Sequence, residues 1–230
     1  MQGMHFPDMQ LKDILQFLSE EVQQKGIWFM ENNDIEFHVI DTESSHGRYS
    51  REYKTIRFDD LVKFHGHACD GLYRGSYALL VAFSTLFPEG IVDRTDLRAL
   101  SRNSPCLGDA ASYLTGSRVR FGTQDVENKP GVWYIIQKIS TGETVRVTED
   151  DGFFPGEISK MEVSLSQLKG DQLSKGVSRL KEMQDRWIKE VLLKTEPTDH
   201  YHARKIDYEW KEVQYNNKGI RSDVIFKDVI

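Results

Sequence analysis

The stretch Phe64-His65-Gly66-His67-Ala68-Cys69-Asp70-Gly71 sets three soft or borderline ligand side chains at alternate positions, and the apolar run Leu72 to Phe87 follows at once. Imidazole and thiolate hold Zn²⁺ and other late first-row metals best. From Asp70 onward Leu72, Tyr73, Ser76, Leu79, Leu80, Phe83 and Phe87 make a helical stripe that Pro88 and Gly90 close. This helix is apolar over much of its surface and is expected at the centre of the fold. Its N-terminus offers unpaired N–H groups and the positive end of the macrodipole, which would lower the pKa of a thiol at Cys69. Gly71 and Gly75 leave room for close approach of a backbone or a ligand.

The chain's other cysteine lies in Ser104-Pro105-Cys106-Leu107-Gly108-Asp109-Ala110. Upstream, Asp93 to Ser101 reads as a strand, which Asn103-Ser104-Pro105 breaks. Downstream, Gly108 to Thr115 reads as a short helix with Gly116 as its stop. Both cysteines therefore fall at helix starts, a more specific arrangement than two cysteines alone.

Composition narrows the function class. The chain has 230 residues, 39% hydrophobic and 11% aromatic, enough for a substantial core. A formal net charge of −6 argues against a general nucleic-acid binder, which needs a basic surface. No apolar stretch has spanning length, and the N-terminus lacks a signal-peptide pattern, so no membrane role and a cytoplasmic location are expected. Two cysteines are too few for a disulfide scaffold and read as ligands, reactive thiols or core residues.

Further along the chain, Pro7-Asp8 starts an amphipathic helix ending near Gly26, and Ile35 to Asp41 alternates as a strand. His46 falls in a polar loop. Asp59 to Phe64 makes a helical turn. Val132 to Ile139 and Glu143 to Thr148 flank Ser140-Thr141-Gly142 as a β-hairpin. Met161 to Leu165 alternates as a strand. Leu173, Val177, Leu180, Trp187 and Val191 form a seam along a helix from about Lys169 to Lys194, a packing or dimer face. Two units are expected: a core over residues 1–196 with its N-terminal helix, and an appendage over 197–230 that can pack on it.

The motifs His65-Gly66-His67-Ala68-Cys69-Asp70-Gly71-Leu72 with Gly75, and Cys106-Leu107-Gly108-Asp109-Ala110 with Leu114-Thr115-Gly116, resemble the two blocks of the FmdE family, which takes its name from formylmethanofuran dehydrogenase. The resemblance spans roughly Phe58 to Thr148, and Lys129 fits a recurrent lysine. It implies an α+β core with helices packed on a mixed or antiparallel sheet, a C-terminal helix and tail, a homodimer, and a metal site drawn from both blocks. Three departures stand out. The C-terminal zinc finger of many members is missing, Asp70 replaces a usual Pro, and Ser117 replaces a frequent Cys.

The expected metal ligands are Cys69 and Cys106, with His67 as first imidazole and His65 next. On an extended segment His65, His67 and Cys69 would share a side; on a helix they would fan apart by about 200° per pair. Asp109 is placed to orient a ligand imidazole. Cys69, Cys106, Asp70 and Asp109 are the candidate catalytic groups. Zn²⁺ is the first choice of metal, with Ni²⁺ or Fe²⁺ as alternatives. Expected partners are a small-molecule substrate or the metal ion. Three function classes stay open: a metal-dependent enzyme, a metal carrier or sensor, and a thiol redox or Cys-nucleophile protein. The pair His200 and His202 reads as solvated, with a metal role as its alternative. Arg118, Arg120 or Lys129 are candidate anion contacts.

Overall fold

A computed structural model describes residues 30–31, 34–43, 50 and 52–211. The expected helix from Asp8 to Gly26 and the loop holding His46 lie outside the described residues. In chain order the elements are β1 (Met30–Glu31), β2 (Asp34–Ile40), β3 (Lys54–Arg57), α1 (Phe58–His65), α2 (Asp70–Leu86), β4 (Val92–Asp93), β5 (Leu97–Arg102) and α3 (Pro105–Thr115). They continue with β6 (Gln124–Glu127), β7 (Trp133–Lys138), β8 (Thr144–Glu149), α4 (Gly156–Leu165), α5 (Gly170–Glu190), α6 (Pro197–His200) and β9 (Tyr201–Lys205).

Helix α2 organises the packing because it is apolar nearly all round. Tyr77, Ala78, Leu79, Ala82 and Phe83 on it are fully buried. One side meets the small sheet, where β2 pairs with β1 and β3 antiparallel and with β4 parallel; Phe37 of β2 meets Phe83 edge-on at 6.0 Å. The other side meets a five-stranded sheet of order β6-β5-β7-β8-β9, parallel at β5–β6 and antiparallel elsewhere. There Tyr77 contacts Tyr201 of β9 at 5.9 Å between ring centroids. The class is α+β with mixed sheets against helices.

The β7–β8 hairpin pairs Trp133 with Thr148 and Gln137 with Thr144. Its turn residue Gly142 has φ +75°, a conformation glycine adopts without steric cost. The chain beyond Pro197 runs through α6 into β9, which pairs with β8 as the sheet's edge strand. Residues after β9 then cross the sheet: Gln137 Nε2 donates to Tyr208 O at 2.9 Å, and Trp210 Nε1 donates to Gly122 O at 3.1 Å. Arg98 of β5 lies 5.0 Å from the Trp210 ring centroid.

One expectation is corrected. Met161 to Leu165 is not a strand but the second half of α4. Its alternation is incidental, because Ile158, Met161 and Leu165 share a helical face, whereas Val163 stays 70% exposed. That face packs on α5, where Gly176 lets the helices close; a Cβ there would sit 2.8 Å from Leu165 Cδ2. On α5 itself Leu173 and Trp187 are buried, so the seam is a packing face within the chain. The α4–α5 pair forms a wall beside the N-terminus of α2.

Candidate metal centre

The opening stretch is neither wholly extended nor wholly helical. His65 is the last residue of α1. Gly66 follows in a left-handed conformation at φ +104°, which reverses the chain and suits glycine. Cys69 is the N-cap of α2, in extended backbone, and Leu72 N donates to its Sγ at 3.4 Å. Cys106 sits in the first turn of α3, directly after Pro105 at the helix start. Two helix N-termini thus present two sulfurs to one place, and Cys69 Sγ and Cys106 Sγ are 3.4 Å apart. Gly71 permits this, since a Cβ there would lie 2.9 Å from Cys106 Sγ. At Gly75 the approaching group is Tyr134, whose hydroxyl donates to Leu107 O at 3.2 Å and anchors the first turn of α3.

His65, rather than His67, completes the cluster. Its Nε2 is 3.7 Å from Cys69 Sγ, and donor atoms of His65, Cys69 and Cys106 all lie within 4.8 Å of one another. A tetrahedral zinc with sulfur at about 2.3 Å and nitrogen at about 2.0–2.1 Å needs ligand atoms about 3.5–3.8 Å apart. The observed 3.4 and 3.7 Å fall close to that spacing. The donor set, two thiols and an imidazole, therefore fits a late first-row ion in both chemistry and size. His67 lies outside the converging set, exposed beside it, with its ring centroid 4.6 Å from that of His65.

The charges follow from the neighbours. Asp109, on α3, pairs with His65 Nδ1 at 2.8 Å. A carboxylate can only accept, so the imidazole donates from Nδ1 and turns its Nε2 lone pair toward the sulfurs. The His65 side chain is only 4% exposed, so that orientation is fixed by packing as well. Contrary to the expectation from its helix terminus, the Cys69 thiol is pushed up, by its hydrogen bond with Cys106 and by burial. Cys106 is drawn down to about 7 by the same hydrogen bond, against burial. The pair thus gives up one proton readily and the second reluctantly. Burial is the largest influence lowering the pKa of His67, reinforced by His65 and Lys181.

Asp70 points into a buried charge network. Arg74 Nη1 donates to Asp70 Oδ2 at 3.3 Å and grips Glu149 at 2.9 and 2.5 Å. Tyr201 donates to Glu149 Oε2 at 2.9 Å, and the Arg74 guanidinium stacks 3.9 Å from the Phe154 ring centroid. Burial raises the Asp70 pKa, and Arg74 opposes that rise. The network ties the N-terminus of α2 to the end of β8 and to the loop before α4.

Cys69, Asp70, Gly71 and Cys106 line a cleft of about 710 Å³. Its other walls are α4 and α5, through Glu162, Val177, Leu180 and Lys181, and the end of β5 through Arg102. Sequence reasoning missed Arg102 and Glu162. One was hidden as a strand terminus and the other in a helix read as a strand, so neither carried a local signal. The anticipated anion contacts are elsewhere: Arg118 Nη1 donates to Ser112 O and Ser117 O at the end of α3, and Lys129 pairs with Glu127. Of Arg120 only the backbone is described, in a helical turn. Ser117 is buried in a hydrogen bond with Thr115. His200 and His202 both bind Asp150, at 3.3 and 2.8 Å, away from the sulfurs. Among the described residues no helix is long and apolar enough to cross a membrane.

No curated protein matches the chain. Among solved structures, a tungsten formylmethanofuran dehydrogenase (FmdE)-like protein from Syntrophus aciditrophicus is similar at 22% identity, covering 67% of this chain and 74% of that one, with a TM-score of 0.41. Residues 64–199 match the family model described as FmdE, molybdenum formylmethanofuran dehydrogenase operon. That span takes in both cysteine motifs and more than half of the chain, which therefore belongs to the FmdE family.

Proposed function

We propose that the chain binds a divalent late first-row metal through Cys69, Cys106 and His65, with Zn²⁺ first and Ni²⁺ or Fe²⁺ as alternatives, and acts on a small molecule held in the adjoining cleft. The observation that carries this reading is the convergence of the three donor atoms within 4.8 Å at the floor of that cleft. Three protein donors are the number that catalytic zinc sites use, whereas structural sites use four. A metal so held supplies Lewis acidity toward a carbonyl or a bound water. The chain's own groups do the rest: Asp109 orients His65, the Asp70–Arg74–Glu149 network fixes the N-terminus of α2, and Asp70 presents a carboxyl to the cleft. The same donor set supports a carrier or sensor, which would bind metal without turnover. We place the chain in the cytoplasm as a homodimer; Phe121 and Phe64, 75% and 53% exposed, offer apolar contact area.

Elemental analysis of protein purified without added metal tests the reading. One metal per chain is expected in the native protein, and a trace level in the Cys69→Ser, Cys106→Ser double variant. Sub-stoichiometric metal in both rejects it. The 3.4 Å sulfur separation favours a second reading, a dithiol that cycles to a disulfide. Unchanged thiol counts across mild oxidants would remove it.

A further inference from the structure

The cleft beside the cysteines has cations on its walls, and their partners differ. Arg74 is saturated, gripped by Glu149 and Asp70 and stacked on Phe154. Lys181 is held by both oxygens of Asp185, at 3.0 and 2.8 Å. Arg102, the last residue of β5, makes no ion pair among the described residues, and it lines the same cleft as Cys69 and Cys106. Glu162, on the α4 wall, feels the charge of Arg102 without forming an ion pair with it. An exposed guanidinium with five donors in a planar fork, left unmatched at the rim of a pocket, is suited to a carboxylate.

The remaining surface limits what that carboxylate belongs to. Leu107, Val132, Val177 and Leu180 contribute apolar wall between Arg102 and the sulfurs' side of the cleft. A single uncommitted cation matches a monoanion better than a phosphate dianion. Asp70, Glu162 and Asp185 also add negative charge to the walls, which opposes a second anionic group.

We propose that Arg102 anchors the carboxylate of the cleft's ligand, and that this ligand is a short monocarboxylic acid whose far end carries a metal-seeking donor. The inference rests on the metal reading above and adds to it the substrate class and the residue that selects it. Arg102 is a specificity-determining residue that recognises the end of the ligand remote from the reacting centre.

The test is calorimetric titration of zinc-loaded protein with 3-mercaptopropionate and with 3-mercaptopropanamide, which share the thiol and differ in the charge of the other end. The native protein is expected to bind the acid at least about tenfold more tightly. Arg102→Gln should abolish that preference while leaving zinc content and affinity for the amide unchanged, and Arg146→Gln, on β8 and outside the cleft, should keep it. Equal affinity for acid and amide in the native protein overturns the proposal, as does a preference that survives Arg102→Gln. So does binding of neither compound to fully zinc-loaded protein, with the metal reading left standing. Failure of the native protein to take up zinc removes the metal reading first, and this inference with it.

Discussion

The chain contains two His-x-His pairs, and the fold treats them differently. His65 and His67 straddle a left-handed glycine at a helix end. This throws His67 outward and leaves His65 nearly buried, between Asp109 and Cys69. His200 and His202 flank the junction of α6 and β9 and both bond to Asp150, with side chains 37% and 57% exposed. His200 also stacks on Phe153 with ring centroids 3.9 Å apart. Identical spacing thus gives a converging donor in one place and a solvated pair in the other. The difference lies in what surrounds the rings: two sulfurs at two helix N-termini in the first case, one carboxylate and an aromatic face in the second.

Exchanging alanine for each histidine breaks or sharpens that contrast. His65→Ala is expected to lower zinc affinity by at least about a hundredfold, since it removes a donor outright. His67→Ala should leave affinity within a fewfold of native. Competition with a chromogenic chelator measures both, and a larger loss from His67→Ala would reverse the assignment. Asp109→Ala comes next, at about 10–100-fold, because the imidazole keeps its place but loses the partner that fixes its proton. If Asp109→Ala matched native affinity in the same assay, the 2.8 Å contact would be incidental to the site.

A smaller effect separates the two sulfurs. In metal-free protein Cys106, drawn down to about 7 by the Cys69 hydrogen bond, should become a thiolate as pH rises through neutrality. Its alkylation by iodoacetamide should be half-maximal near pH 7 and fall below it as the proton returns, while Cys69, pushed up, reacts slowly across the range. Peptide mass spectrometry after timed labelling reads this, and an inflection near the ordinary thiol value of about 8.5 would contradict it. Least of all, His200→Ala combined with His202→Ala should leave metal content unchanged.

These outcomes bear on how much the sequence made legible. The helix after Asp70, the β7–β8 hairpin and the placement of both cysteines at helix starts came from local patterns: a 3.6-residue stripe, a Gly-containing turn, a Pro before Cys106. Long-range geometry did not. The order of the two histidines depends on Gly66 reversing the chain at the last turn of α1, a matter of one backbone dihedral. The exchange of roles between Cys69 and Cys106 depends on their meeting at 3.4 Å, which no one-dimensional pattern encodes. The strand expected at Met161–Leu165 failed because five residues are too few to separate periods of 2 and 3.6. That error hid the cleft wall and with it Glu162. Asp70, a departure from the family motif, proves to be held by Arg74 in a network that includes Glu149 of β8 and Tyr201 of β9. Glu149 lies 75 residues from Arg74 in the chain, far beyond the reach of any local pattern.

X-ray absorption at the edge of the metal that copurifies with the native protein tests the central claim most directly. The account predicts two sulfur neighbours at about 2.3 Å with one imidazole nitrogen at about 2.0–2.1 Å, and loss of one sulfur in Cys106→Ser. A shell of oxygen and nitrogen alone, or two sulfurs that persist in Cys106→Ser, would contradict it.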